Sequence, residues 1–241
     1  MSLLDLDLRL GETVKGFHKT TMLDWEGKIA SSIFIGGCNF RCPFCHNPEL
    51  VLRHKDMPPV GWTEIAGHLE DRRGWIDGVV IGGGEPTLSS ELEDLSREIK
   101  RLGFPIKLDT NGSKPAVLKR LIDNGLIDHI AMDVKTVFEK YPHVTRSNID
   151  PGVIMESVDL VTASGLDHEF RTTAYPPAAG KEDLIGIARH IGSRGGMDYV
   201  IQQFRPENVL SKDALSHEPH SHEFLMSVVE TCSYHIPTRI R

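Results

Sequence analysis

From residue 77 to residue 204 the chain repeats one pattern: a short β-rich run, a polar loop, then an amphipathic helix. DGVVIGGG (77–84) reads as a strand with a glycine-rich exit. After it, Leu88, Leu92, Leu95, Ile99 and Leu102 mark one face of a helix that Gly103 stops. FPIKLDTNG (104–112) is the next strand and loop, and KPAVLKRLIDNG a helix with Pro115 in its first turn and Gly125 at its C-cap. LIDHIAMDVKT (126–136), HEFRTTAY (168–175) and GMDYVIQQF (196–204) are further strands; Val153 to Gly165 and KEDLIGIARHIG are helices. Upstream, KTTMLDWEGKIASSIFIGG spells a hairpin that turns at Trp25–Gly27 and feeds a strand ending at Gly36, with Trp62 to Arg73 as the first helix. Six βα units imply a parallel sheet with right-handed crossovers. In this length they predict an α/β fold of the partial (β/α)6 barrel type, whose chemistry sits where strands end.

The residues just past the strands fit that rule. They are CNFRCPFCHN, GGGEP, DTNG, MDVK, RTTAYPP and QQFRPEN. The first holds Cys38, Cys42 and Cys45, three of the four cysteines in the chain, spaced CxxxCxxC. Thiolates are soft ligands suited to iron–sulfur clusters and zinc. Three cysteines on a four-iron cluster leave one iron open. Zinc could instead take Cys38, Cys42, Cys45 and His46. CPFCH also matches the c-type haem attachment pattern, which gives Cys38 no role, and a disulfide is the remaining alternative. Cys232 stands far off, on or after the last helix, and reads as a buried structural thiol. The histidines of HEPHSH (217–222) read as a solvated turn, not a metal tract.

Bulk properties bound the rest. The chain has 241 residues with 39% hydrophobic and 25% charged, the balance of a soluble globular protein long enough to bury a core. MSLLDLDLRLGETVKG lacks the basic and long apolar regions of a signal peptide, and no apolar run is long enough to cross a membrane. The expectation is a cytoplasmic protein with reduced thiols. A net charge of −7 speaks against a nucleic-acid partner.

CxxxCxxC at the exit of the first barrel strand resembles the radical S-adenosylmethionine (SAM) superfamily. The resemblance implies a 4Fe–4S cluster held by Cys38, Cys42 and Cys45, with the cofactor chelating the open iron. It places Gly83, Gly84 and Glu85 of GGGEP at the cofactor's amino group. CPFCHN, LDTNG and AMDVK narrow the likeness to the glycyl-radical enzyme activating enzymes. On that likeness Asp109, Thr110 and Asp133 hold a monovalent cation, Lys135 faces the cofactor carboxylate, and Phe44, His46, Asn111 and Arg171 also contact the cofactor. A surface salt bridge is the plain alternative for Arg171, and turn capping for Asp109, Asp133 and Glu85.

Within that family, residues 19–52 look most similar to the anaerobic ribonucleoside-triphosphate reductase activating proteins. The chain departs from the pyruvate formate-lyase branch in having QQFRPEN, without histidine, after the last strand. It also lacks a second cysteine-rich insert, which implies one cluster. The resemblance implies one radical SAM domain over residues 1–241, with a core of about 14–205 and an extension, 206–241, that carries no legible motif. The implied partners are a glycyl-radical enzyme, with anaerobic ribonucleotide reductase foremost, and a flavodoxin or ferredoxin donor. Two alternatives stand beside this: a small-molecule radical enzyme like 7-carboxy-7-deazaguanine synthase, and a zinc-bound module without turnover.

Overall fold

The computed structural model describes residues 7, 9, 10 and 12–241. Much of the N-terminal stretch read for a leader therefore lies outside the described residues. The strands are β1 (Val14–Thr21), β2 (Ala30–Ile35), β3 (Gly78–Gly83), β4 (Ile106–Thr110), β5 (His129–Asp133), β6 (Asp167–Thr173), β7 (Asp198–Gln202) and β8 (Thr238–Ile240). The helices are α1 (Pro48–Leu52), α2 (Trp62–Asp71), α3 (Leu92–Arg101), α4 (Pro115–Asp123), α5 (Tyr141–Thr145), α6 (Pro151–Ala163), α7 (Lys181–Gly192) and α8 (His222–Cys232). The sheet order is the chain order, β1 to β8. β1 runs antiparallel to β2, while the pairs β2–β3, β3–β4, β6–β7 and β7–β8 are parallel.

The chain divides into two compact units. The first comprises Met1–Cys38, Glu49–Thr110 and Lys119–His129. Its centre is β3, where Val79, Val80 and Ile81 are all buried, as a parallel strand covered on both faces requires. Leu92, Leu95 and Ile99 of α3 are buried as the periodicity demands, each contributing roughly 2 kcal/mol over an exposed position. Leu88 departs from that stripe. Pro86 starts a 3-10 turn over Pro86–Leu88, so the helix begins only at Leu92 and Leu88 is left 40% exposed.

The second unit comprises Asn39–Pro48, Asn111–Leu118 and Ile130–Arg241. Phe170, Tyr199 and Ile201 are buried in its strands, and Ile154, Val158 and Val161 on α6. Asp150 caps α6 through the Gly152 amide (2.8 Å), with Pro151 at the first helical position, an arrangement worth about 1 kcal/mol. Residues 206–241, where the sequence shows no motif, hold α8 and a further parallel strand, β8. No helix among the described residues is long and apolar enough to cross a membrane.

Candidate functional site

In the first unit the exits of β2 and β3 meet backbone to backbone. The Gly84 amide donates to Ile35 O and the Glu85 amide to Gly37 O, both at 2.8 Å. A Cβ on Gly84 would overlap the Gly37 carbonyl, and one on Gly83, whose φ is +113°, would lie 2.6 Å from Ile35 N and O. The glycines of GGGEP are thus required by this contact, before any ligand is considered. His54 covers the other side of the Gly36–Gly37 turn that leads into Cys38.

Glu85 is fully buried. Its Oε1 accepts from the Thr87 amide (3.1 Å), the Thr87 hydroxyl and the Thr110 hydroxyl (2.7 Å). That carboxylate oxygen caps the turn after β3 and ties it to the end of β4. Asp109 Oδ1 lies 2.7 Å from Nζ of Lys107, which is almost wholly buried and also donates to Asp24 O at 2.8 Å. The sequence reading missed Lys107. Its only signal was a lysine inside the apolar run of β4.

In the second unit Cys42 is buried and Cys45 partly so. The segment after β7 lies over this loop. Leu210 N donates to Cys45 O and Ser211 N to Pro43 O, each at 3.0 Å. His46 Nε2 is 3.0 Å from Arg205 O, and its ring stacks on Phe204. Asn208, at φ +49°, donates to His46 O (3.4 Å). Phe44 is buried against Tyr175, with ring centroids 5.2 Å apart. Neither half of HEPHSH is simply solvated. His217 packs edge-on against Tyr175, and His220 stacks on Phe224 with Nε2 3.1 Å from Ala179 O.

Asp133, at the end of β5, is clasped by two cations: Lys135 Nζ at 2.7 Å and Arg171 Nε at 2.8 Å. Burial alone would push its carboxyl up. Arg171 first, then Lys135, outweigh that and hold it well below the usual carboxylate range. Burial likewise opposes the charge on Lys135, but Asp133, Cys42 and Cys45 together raise it above the ordinary lysine value. Arg171 is 8% exposed, so its partnership with Asp133 is a buried one, not the surface salt bridge. Asn111 donates to Asn39 Oδ1 (3.0 Å) and accepts from the Ser113 amide (2.9 Å). Among the described residues Ser113 Oγ is buried with no hydrogen-bond partner. Such an orphan is a place where a polar ligand group fits.

A family model described as "Radical SAM superfamily" matches residues 32–190. The chain belongs to the radical SAM superfamily. A Methanocaldococcus jannaschii protein named "Putative glycyl-radical enzyme activating enzyme" is 36% identical over 205 residues, covering 83% of each chain. The 7-carboxy-7-deazaguanine synthase of Neisseria meningitidis is 26% identical over 62% of this chain and 65% of its own. Among solved structures, Streptococcus suis SuiB bound to S-adenosylmethionine overlays with a TM-score of 0.66 at 14% identity, over 85% of this chain and 48% of SuiB.

The protein is therefore an enzyme with the radical SAM fold expected from the sequence, and membership implies a 4Fe–4S cluster and S-adenosylmethionine. The residues present fit those groups: three thiols at the spacing CxxxCxxC, a glycine-built turn before the first, and a buried orphan hydroxyl at Ser113. The non-enzymatic zinc module falls with this assignment. Its fourth ligand would be His46, whose Nε2 lies 3.0 Å from the Arg205 carbonyl.

Proposed function

We propose that this radical SAM enzyme activates a glycyl-radical enzyme by removing a hydrogen atom from the Cα of one glycine in that partner. The observation that carries the reading is the 36% identity, over 83% of both chains, to a relative bearing that name. CPFCHN, LDTNG and AMDVK support the same branch. The partner we infer is an anaerobic ribonucleotide reductase, and the electron donor a flavodoxin or ferredoxin. When bound, the reduced cluster and S-adenosylmethionine supply a one-electron cleavage that yields methionine and 5′-deoxyadenosine, the latter carrying the hydrogen taken from the substrate.

The protein's own residues bind and orient. Cys38, Cys42 and Cys45 hold the cluster as thiolates. The backbone of Gly83, Gly84 and Glu85 meets the amino group of the cofactor, with the Glu85 side chain acting as a strut. Lys135 meets the cofactor carboxylate while Asp133 and Arg171 fix where its ammonium sits. Asn111 and Ser113 offer polar groups to the remainder of the cofactor, and Phe44 and His46 border it. A monovalent cation held by Asp109, Thr110 and Asp133 is part of the same proposal; Asp109 Oδ1 also pairs with Lys107, Thr110 donates its proton to Glu85 while its oxygen keeps lone pairs to ligate, and Asp133 pairs with Lys135 and Arg171. No step is assigned to it.

The deciding experiment is an anaerobic assay with reconstituted protein, S-adenosylmethionine and the candidate reductase, read by 5′-deoxyadenosine formation and by EPR. The reading expects cleavage and a stable glycyl doublet on the partner. Cleavage without that doublet, with any glycyl partner tried, would favour the second reading, a small-molecule substrate. The likeness to 7-carboxy-7-deazaguanine synthase is the observation behind that alternative.

A further inference from the structure

Arg171 is the middle of a chain of charges that reaches the last strand. On one side its Nε donates to Asp133 Oδ1 at 2.8 Å. On the other its Nη1 stands 4.0 Å from Glu169 Oε1. Glu169 is 5% exposed. Arg241 approaches it with a two-pronged grip, Nη1 to Oε1 at 3.1 Å and Nη2 to Oε2 at 3.0 Å, and Arg239 Nη2 adds a contact to Oε2 at 3.1 Å. Arg239 Nη1 in turn lies 3.1 Å from Asp198 Oδ2.

Strand register explains how residues some seventy positions apart come together. Glu169 pairs with Asp198 and Arg171 with Val200 across β6–β7, and Val200 pairs with Arg239 across β7–β8. Side chains alternate along a strand, so Glu169, Arg171, Asp198 and Arg239 share one face. Phe170, Tyr199 and Ile201 take the other and are buried. A carboxylate this deep is tolerated because arginines surround it, and a forked guanidinium fixes orientation as well as charge.

We propose that Glu169, clamped by Arg239 and Arg241, is a positioning residue for the cofactor site. It aims the Arg171 guanidinium, Arg171 anchors Asp133, and Asp133 sets the Lys135 ammonium at the carboxylate of S-adenosylmethionine. The inference rests on the reading that Lys135 receives that carboxylate. It makes β8 part of the binding apparatus. With Glu169 neutralised, Arg171 loses the counter-charge on its outer side, and its charge falls wholly on Asp133, which it already touches at 2.8 Å. Lys135 is then displaced from Asp133, and its ammonium is no longer held in one place.

The test uses the cluster-loaded full chain and measures S-adenosylmethionine affinity by calorimetry, with iron per chain and melting temperature as controls. Glu169→Gln keeps the shape and removes the charge. Arg241→Gln does the same from the other partner, at a more accessible position that leaves the fold less at risk. Each is expected to weaken binding about tenfold with iron content unchanged. Combined with Lys135→Ala, Glu169→Gln is expected to add nothing, because both act through one group. A strut for β8 alone would lower the melting temperature, leave affinity as in the wild type, and overturn the inference. So would strictly additive losses in the double variant. If Lys135→Ala binds like the wild type, the reading of Lys135 falls and the inference falls with it. If Lys135→Ala binds weakly while both other variants bind normally, only the inference falls.

Discussion

Gly84 and Glu85 show what single residues in this site are for. The sequence suggests glycines that admit a ligand and a carboxylate that greets an ammonium group. In the folded chain the Gly84 position is closed to any side chain by the Gly37 carbonyl, and Glu85 gathers three donors from Thr87 and Thr110. Gly84→Ala is therefore expected to cost more than about 2 kcal/mol, since the clash is with backbone and cannot be relieved by a rotamer. Glu85→Ala leaves buried hydroxyls without their acceptor and is expected to cost about 1–3 kcal/mol. Glu85→Gln, which keeps an acceptor oxygen, should lose less than Glu85→Ala. Urea denaturation of the apoprotein checks the order. At the same scale Cys232 is fully buried, and burial pushes its thiol up to about 11. A thiol reagent at pH 8 should leave Cys232 unmodified in the native apoprotein while Cys45 reacts, and should label it only on addition of denaturant. Native-state labelling of Cys232 would contradict its placement at the end of α8.

Elements were legible where period and punctuation agreed. α7 has the bounds read from its sequence, and Gly103 and Gly125 end α3 and α4 with φ of +87° and +61°. β8 was not legible. It has three residues, and Arg239 and Arg241 flank its only aliphatic, so nothing local marks it as a strand. Its charges make sense only beside Glu169, far away in sequence. The segment after β7 was missed for the same reason: it grips the cysteine loop through backbone amides, and backbone bonds leave no residue signature. Those bonds carry a prediction. Leu210→Pro removes the amide that donates to Cys45 O, whereas Leu210→Ala keeps it. The proline variant, once reconstituted, should release iron to a chelator several-fold faster than the alanine variant, with matching circular dichroism. Equal release rates would mean that the segment does not steady the loop.

For the molecule as a whole, the partly buried cation pairs around Asp133 tie stability to pH. Asp133 has its carboxyl held far below the usual range by Arg171 and Lys135, against the opposing pull of burial. A depressed folded-state pKa contributes stability that is complete above the unfolded value of about 3.9 and is lost as pH falls through the folded value. The sign is therefore fixed: acid weakens the protein, and the loss from Asp133 begins near pH 4. Asp133 is only partly buried, its side chain 22% exposed, so removing it costs less than the about 3–5 kcal/mol of breaking a fully buried pair. Asp133→Asn should thus be less stable than the wild type at pH 7, and the gap should narrow steadily as the pH falls below about 4. Urea midpoints of the two apoproteins between pH 7 and pH 3 measure that gap directly. A difference independent of pH would mean that the stabilising effect of Asp133 is packing, and that the charges on Lys135 and Arg171 are balanced elsewhere.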